Sequence, residues 1–145
     1  MTKFKMGNSC SVILATYNDA ENIEVLVEKL VRELKSKVHK FEIIVVDDDS
    51  PDGTFQKLLM LSQSYQMLRP VLRRFDKGLG PSVWEGIRAA KYRNIVVMES
   101  DLSHCLLEIP EMISFLEEGK QIVWKNRYAA SDKVGKTPEK RVKLL

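Results

Sequence analysis

Apolar residues fall along this chain in two alternating rhythms. "SVILA" (residues 11–15) and "FEIIVV" (41–46) are short, β-branched and almost unbroken. Such runs predict strands, and the second, apolar on both faces, suits the middle of a parallel sheet. Between them Ile23, Leu26, Val27, Leu30, Val31 and Leu34 recur at helical spacing. That stripe predicts a one-sided helix from about Asp19 to Lys35, with Asn18 as its cap and Glu21 completing a capping box. The alternation continues. A helix carries Phe55, Leu58, Leu59 and Leu61; "PVLRR" is a weak third strand, placed near an edge; "KGLGPSVWEGIRAAK" turns helical with Pro81 in its first turn. "NIVVM" is a fourth strand, "IPEMISFLEEG" a helix stopped by Gly119, and "QIVWKNRY" a fifth strand. Residues 129–145 break the rhythm and hold Lys133, Lys136, Lys140, Arg141 and Lys143; they are expected to form a mobile basic tail.

Strands alternating with helices imply parallel pairing through right-handed crossovers, an α/β, Rossmann-like, mostly parallel central sheet with helices on both faces. In such sheets ligands bind at the carboxyl ends of the strands. Every unusual polar motif stands there: "TYND" after the first strand, "DDDSPD" after the second and "ESDLSH" after the fourth.

Composition narrows the classes. The chain has 145 residues and a net charge of +3, too mild and too scattered for a nucleic-acid stripe, so no nucleic-acid partner is expected. Cys10 and Cys105 form no close pair and are read as reduced thiols of a cytosolic setting. The first residues lack an apolar leader segment, and no apolar run approaches the ~18 residues of a membrane span.

The chemistry lies in acids and glycines. Asp47, Asp48 and Asp49 repel one another unless cations or N–H groups offset them, and a carboxylate at the end of a second strand suits hydrogen bonds from a nucleoside. Gly78, Gly80 and Gly86 do not form the dinucleotide fingerprint, and no P-loop lysine motif occurs. Gly78 and Gly80 are expected to shape a loop, and Gly86 to allow close helix packing. Glu99 and Asp101 are hard oxygen donors suited to Mg²⁺ or Mn²⁺. Taken alone, "ESD" reads equally as a metal site or as a polar loop. His104 and Cys105 are too few for a tetrahedral zinc site, and His104 is expected to make a local hydrogen bond.

In order and spacing, "VILATYNDAENI", "IIVVDDDSPDGT", "KGLGPSVWEGIRAA", "VVMESDLSHCLLEIPEMI" and "IVWKNRY" resemble the family-2 glycosyltransferases of GT-A fold. "SPDGT" and "DLSH" are most similar to the branch that loads mannose onto a lipid phosphate. The resemblance implies a nucleotide-sugar-binding GT-A domain over 1–128, with 129–145 the start of a truncated acceptor region. It implies transfer of mannose from GDP-mannose to dolichyl or polyprenyl phosphate with inversion, using Mg²⁺ or Mn²⁺. By position, Ala15, Tyr17 and Asp19 would contact the nucleotide, and Val45 and Asp47 would flank and bond the guanosine. Ser100 joins this substrate set. Glu99, Asp101 and Ser103 would hold the metal. Asp101 and Arg127 would be the catalytic pair, Arg127 also gripping phosphate. A membrane-anchored partner subunit and a peripheral place at the cytosolic face of the endoplasmic reticulum are further implications.

The chain departs from the family pattern at named positions. Asp19 replaces a Glu, Ala15 a Pro, Glu99 the first metal Asp and Ser100 a small Ala, while Lys125 and Asn126 are bulkier than usual. A divergent or truncated non-catalytic member, binding nucleotide or a partner subunit, is therefore the alternative.

Overall fold

The computed structural model describes residues 9–100, 106–120 and 123. Four strands form its sheet: β1 (Ser9–Thr16), β2 (Lys40–Asp47), β3 (Leu68–Leu72) and β4 (Ile95–Glu99). All pairings are parallel, in the order β3-β2-β1-β4. The weak third strand does lie at the edge. The strands are joined by α1 (Ile23–Lys37), α2 (Thr54–Ser64) and α3 (Leu79–Ala89), and α4 (Ile109–Glu117) follows a short 3₁₀ turn, Leu106–Glu108.

Strand alternation decides which helix covers which face. Cys10, Val12 and Leu14 of β1, with Ile43 and Val45 of β2, join Leu26, Leu30 and Leu34 of α1, Leu58 of α2 and Ile113 of α4 in one buried cluster. The intervening residues Ile13, Ile44 and Val46 point to the opposite face and are fully buried as well. There α3 crosses β1 and β2. A Cβ on Gly86 would collide with Cγ2 of Ile13, so the close packing expected of this glycine is what the structure has. Helices thus cover both faces, as an α/β chain with central strands apolar on both sides requires.

Two local expectations meet different outcomes. Gly119 takes φ +96 directly after α4, and its N–H and that of Lys120 close the helix end onto Leu116 and Phe115 carbonyls. At the start of α1 the expectation is corrected: the cap position is Asn22, without a side-chain cap, and no capping box forms from Asn18 and Glu21. Asn18 instead adopts φ +57, and the helix starts four residues later than expected. The reason is tertiary, because residues 18–20 are held by the loop after β2. The expected fifth strand (121–128, apart from Val123) and the basic tail lie outside the described residues.

Candidate active site

The strand order reverses direction between β1 and β4, because β1 leads to β2 on one side while β3 crosses back to β4 on the other. Crevices at the carboxyl ends of a parallel sheet open at such a point. Thr16 and Asp47 are register partners at the ends of β1 and β2, and Ala15 is the partner of Glu99 on β4. Three polar loops therefore leave the sheet side by side.

The loop after β2 is the most heavily cross-linked. Asp47 is fully buried, and its two carboxylate oxygens accept hydrogen bonds from the N–H and the hydroxyl of Ser50. The Ser50 hydroxyl in turn accepts the N–H of Asn18 at 2.9 Å. Asp52 accepts the N–H and hydroxyl of Thr54 with one oxygen, and the N–H of Ala20 with the other. The Thr54 hydroxyl accepts the N–H of Asp19 at 3.0 Å. Hydrogen bonds led by that from the Thr54 hydroxyl hold the Asp52 carboxyl below the usual carboxylate range. "SPDGT" is thus a device that fixes the "TYND" loop through its serine, aspartate and threonine.

Asp48 reaches the other way. It accepts the N–H of Gly78 at 2.7 Å and the hydroxyl of Ser82 at 2.6 Å, and pairs with Arg73 at 3.3 Å. This one carboxylate ties the end of β2 to the end of β3 and to the first turn of α3. Asp49, exposed at φ +59, stands 3.8 Å from Lys77. The repulsion expected of three adjacent acids is relieved by sending them in different directions, each with its own donors.

The loop after β4 joins the first loop. Ser100 donates to Oδ2 of Asp19, the same oxygen that accepts the Thr16 hydroxyl at 2.6 Å. Asp19 therefore sits between β1 and β4, at the reversal of strand order. Glu99 is exposed at the end of β4, and Tyr17 is exposed on the loop after β1.

Of the residues named from sequence, the structure brings Ala15, Tyr17, Asp19, Asp47, Glu99 and Ser100 to this one rim. Val45 belongs to the buried cluster beneath α1 and has no exposed surface. Asp101, Ser103 and Arg127 lie outside the described residues, as do His104 and Cys105. Among the described residues no three His, Cys, Asp or Glu side chains gather as a metal cluster; the hard-oxygen donors that would suit a divalent cation are Glu99 and, next along the chain but one, Asp101. Sequence reasoning named Asp48 only as one of three adjacent acids and did not single out Ser50 or Thr54. Only their positions in "DDDSPDGT" signalled them, and turn residues of that kind look alike until their partners are known.

Residues 11–143 match the family described as "Glycosyl transferase family 2", and the chain belongs to that family. Among curated relatives, it is 38% identical over 128 residues to a dolichol-phosphate mannosyltransferase of Pyrococcus furiosus, covering 88% of this chain and 36% of that protein. It is 31% identical over 124 residues to one from Mycosarcoma maydis, covering 83% and 42% respectively. The chain thus spans about two fifths of the length of these relatives. Among solved structures, a mannosyltransferase from Pyrobaculum calidifontis, in complex with GDP-Man and Mn²⁺, superposes with a TM-score of 0.57 at 24% identity, covering 68% of this chain and 30% of that one. The fold is the GT-A fold.

Proposed function

We propose that this chain carries the donor-binding half of a glycosyltransferase that moves mannose from GDP-mannose to dolichyl or polyprenyl phosphate, with inversion. The observation that carries the reading is the coupling of three strand-end loops at the strand-order reversal: Asn18 to Ser50, Asp19 to Thr54, and Ser100 to Asp19. Preorganised loops of this kind fix a nucleotide without moving when it arrives. The names of the relatives supply the sugar and the class of acceptor.

In this reading Tyr17 and Asp19, with the turn that buried Asp47 anchors, form the nucleotide cradle, and Ala15 leaves room at its floor. Glu99, Asp101 and Ser103 are the residues that would hold Mg²⁺ or Mn²⁺. The ion would offset diphosphate charge. Arg127 grips phosphate oxygens and, with Asp101, serves the departing nucleotide. The acceptor is already an anion, so no general base is required, and positioning and charge stabilisation carry the reaction. Residues 1–128 form the donor domain, and 129–145 begin the acceptor side. The protein works peripherally at the cytosolic face of the endoplasmic reticulum, beside a membrane-anchored subunit.

Calorimetric titration of GDP-mannose, with and without Mn²⁺, tests the donor site. Metal-dependent binding is expected; no nucleotide binding with metal present overturns the reading. A second reading, a member that binds nucleotide without turnover, is favoured by Ser100, which stands where the family has Ala and occupies an oxygen of Asp19. Mannosyl transfer to dolichyl phosphate by the purified chain separates the two.

A further inference from the structure

Helix α3 leaves two of its large apolar residues exposed. Its sheet-facing residues are Ser82 and Gly86, one polar and one without a side chain, and both are buried. Leu79 and Trp84, by contrast, stand in solvent, while Val83 and Ile87 are half-buried. At about 100° per residue, Leu79, Val83, Trp84 and Ile87 fall within one half of the helix circumference. Leu79 and Trp84 are each 61% exposed, and Phe75, in the loop entering the helix, is 85% exposed. A helix that leaves two large apolar residues in solvent would ordinarily roll to bury them.

It is prevented by polar anchors at both ends. Asp48 holds Gly78 and Ser82 at the amino end. At the carboxyl end, buried Glu42 accepts the N–H of Lys91 just beyond the helix and pairs with Arg69 at 2.7 Å, while Arg69 also donates to the carbonyl of Ala89. Phe75 is likewise displayed on a fixed loop, because Arg73 donates to the carbonyl of Asp76 at 2.9 Å. These polar anchors hold the helix in place while Leu79 and Trp84 remain exposed.

Charge around them is one-sided. From residue 73 to 93 six basic residues accompany two acidic ones; with Arg73 paired to Asp48 and Lys77 standing 3.8 Å from Asp49, the patch keeps an excess of two positive charges. Arg74, Lys77, Arg88 and Lys91 are exposed. Exposed aromatic and aliphatic groups accompanied by exposed cations match the boundary between headgroups and acyl chains of an anionic bilayer.

We propose that the outward face of α3 and its entry loop dock on an anionic membrane, with Phe75, Leu79 and Trp84 entering the headgroup boundary and Arg74, Lys77 and Arg88 pairing with lipid phosphates or carboxylates. This deepens the peripheral placement proposed above, and donor titration without vesicles tests the transfer reading separately. The full chain carrying Trp124→Phe leaves Trp84 as its sole tryptophan. On phosphatidylcholine vesicles containing phosphatidylserine, Trp84 emission should shift to the blue and be quenched by brominated acyl chains. Trp84→Ser with Leu79→Ser should weaken co-sedimentation of the otherwise unaltered full chain by about tenfold or more. Each reversal among Arg74→Glu, Lys77→Glu and Arg88→Glu should cost about fivefold. Binding that persists in these variants, or binding without a change in Trp84 emission, overturns the proposal and assigns attachment to the basic tail. A blue shift that grows with protein concentration in the absence of lipid, with a dimer in sedimentation equilibrium, also overturns it in favour of self-association.

Discussion

Ser50 shows how much one small side chain settles at this rim. Its N–H and hydroxyl hold buried Asp47, and its oxygen receives Asn18 from the neighbouring loop. Ser50→Ala leaves a buried carboxylate oxygen and an N–H without that partner. A loss of about 1–3 kcal/mol is expected in urea unfolding, together with weaker donor binding. Gly86→Ala forces a methyl into Ile13 and should cost about 1–3 kcal/mol by the same measurement. Burial, aided by the charge of Glu42, raises the Cys10 thiol to about 12, so Ellman's reagent should react with native Cys10 only as the protein unfolds. Asp101→Ala tests the metal assignment: metal-dependent GDP-mannose binding should vanish, and unchanged metal dependence would place the ion elsewhere.

At the scale of elements, two buried acids at opposite ends of the sheet position α3. Burial opposes ionisation of Glu42, but hydrogen bonds from Ser11, Arg69 and the Lys91 N–H, with the charge of Arg69, prevail and hold its carboxyl below the ordinary 4.5. The folded state therefore binds fewer protons here than the unfolded chain. Its contribution to stability is complete above the unfolded value and declines as pH falls from about 4.5 through the lower folded value. Urea midpoints measured down this range should fall more steeply for the natural chain than for Glu42→Gln. The helices that obey simple patterning, α1 and α4, were legible because their apolar stripes face the main core. The start of α1 was not. A capping box is a local signal, and it was overridden when Asn18, Asp19 and Ala20 were captured by Ser50, Thr54 and Asp52, more than thirty residues away.

For the whole molecule, strand order matters more than any motif. Placing β4 beside β1 brings Ser100 to Asp19 across 81 residues of chain and creates the reversal at which the polar loops meet. If these loops form one preorganised site, GDP-mannose with Mn²⁺ should raise the melting temperature as ligand concentration increases, by the ordinary linkage of binding to folding. Among the described residues no helix is long and apolar enough to cross a bilayer.

The sequence by itself determined the alternation of strand and helix, the burial of both faces of β1 and β2, and the gathering of polar motifs at strand ends. Those features follow from side-chain periodicity, which is local and repeats over many residues. Only the tertiary structure decided that Asp47 turns inward, that Asp48 reaches to β3 and α3, and that α3 leaves Leu79 and Trp84 exposed. Three neighbouring aspartates have the same chemistry, and what separates them is the set of donors that distant strands bring within hydrogen-bonding distance.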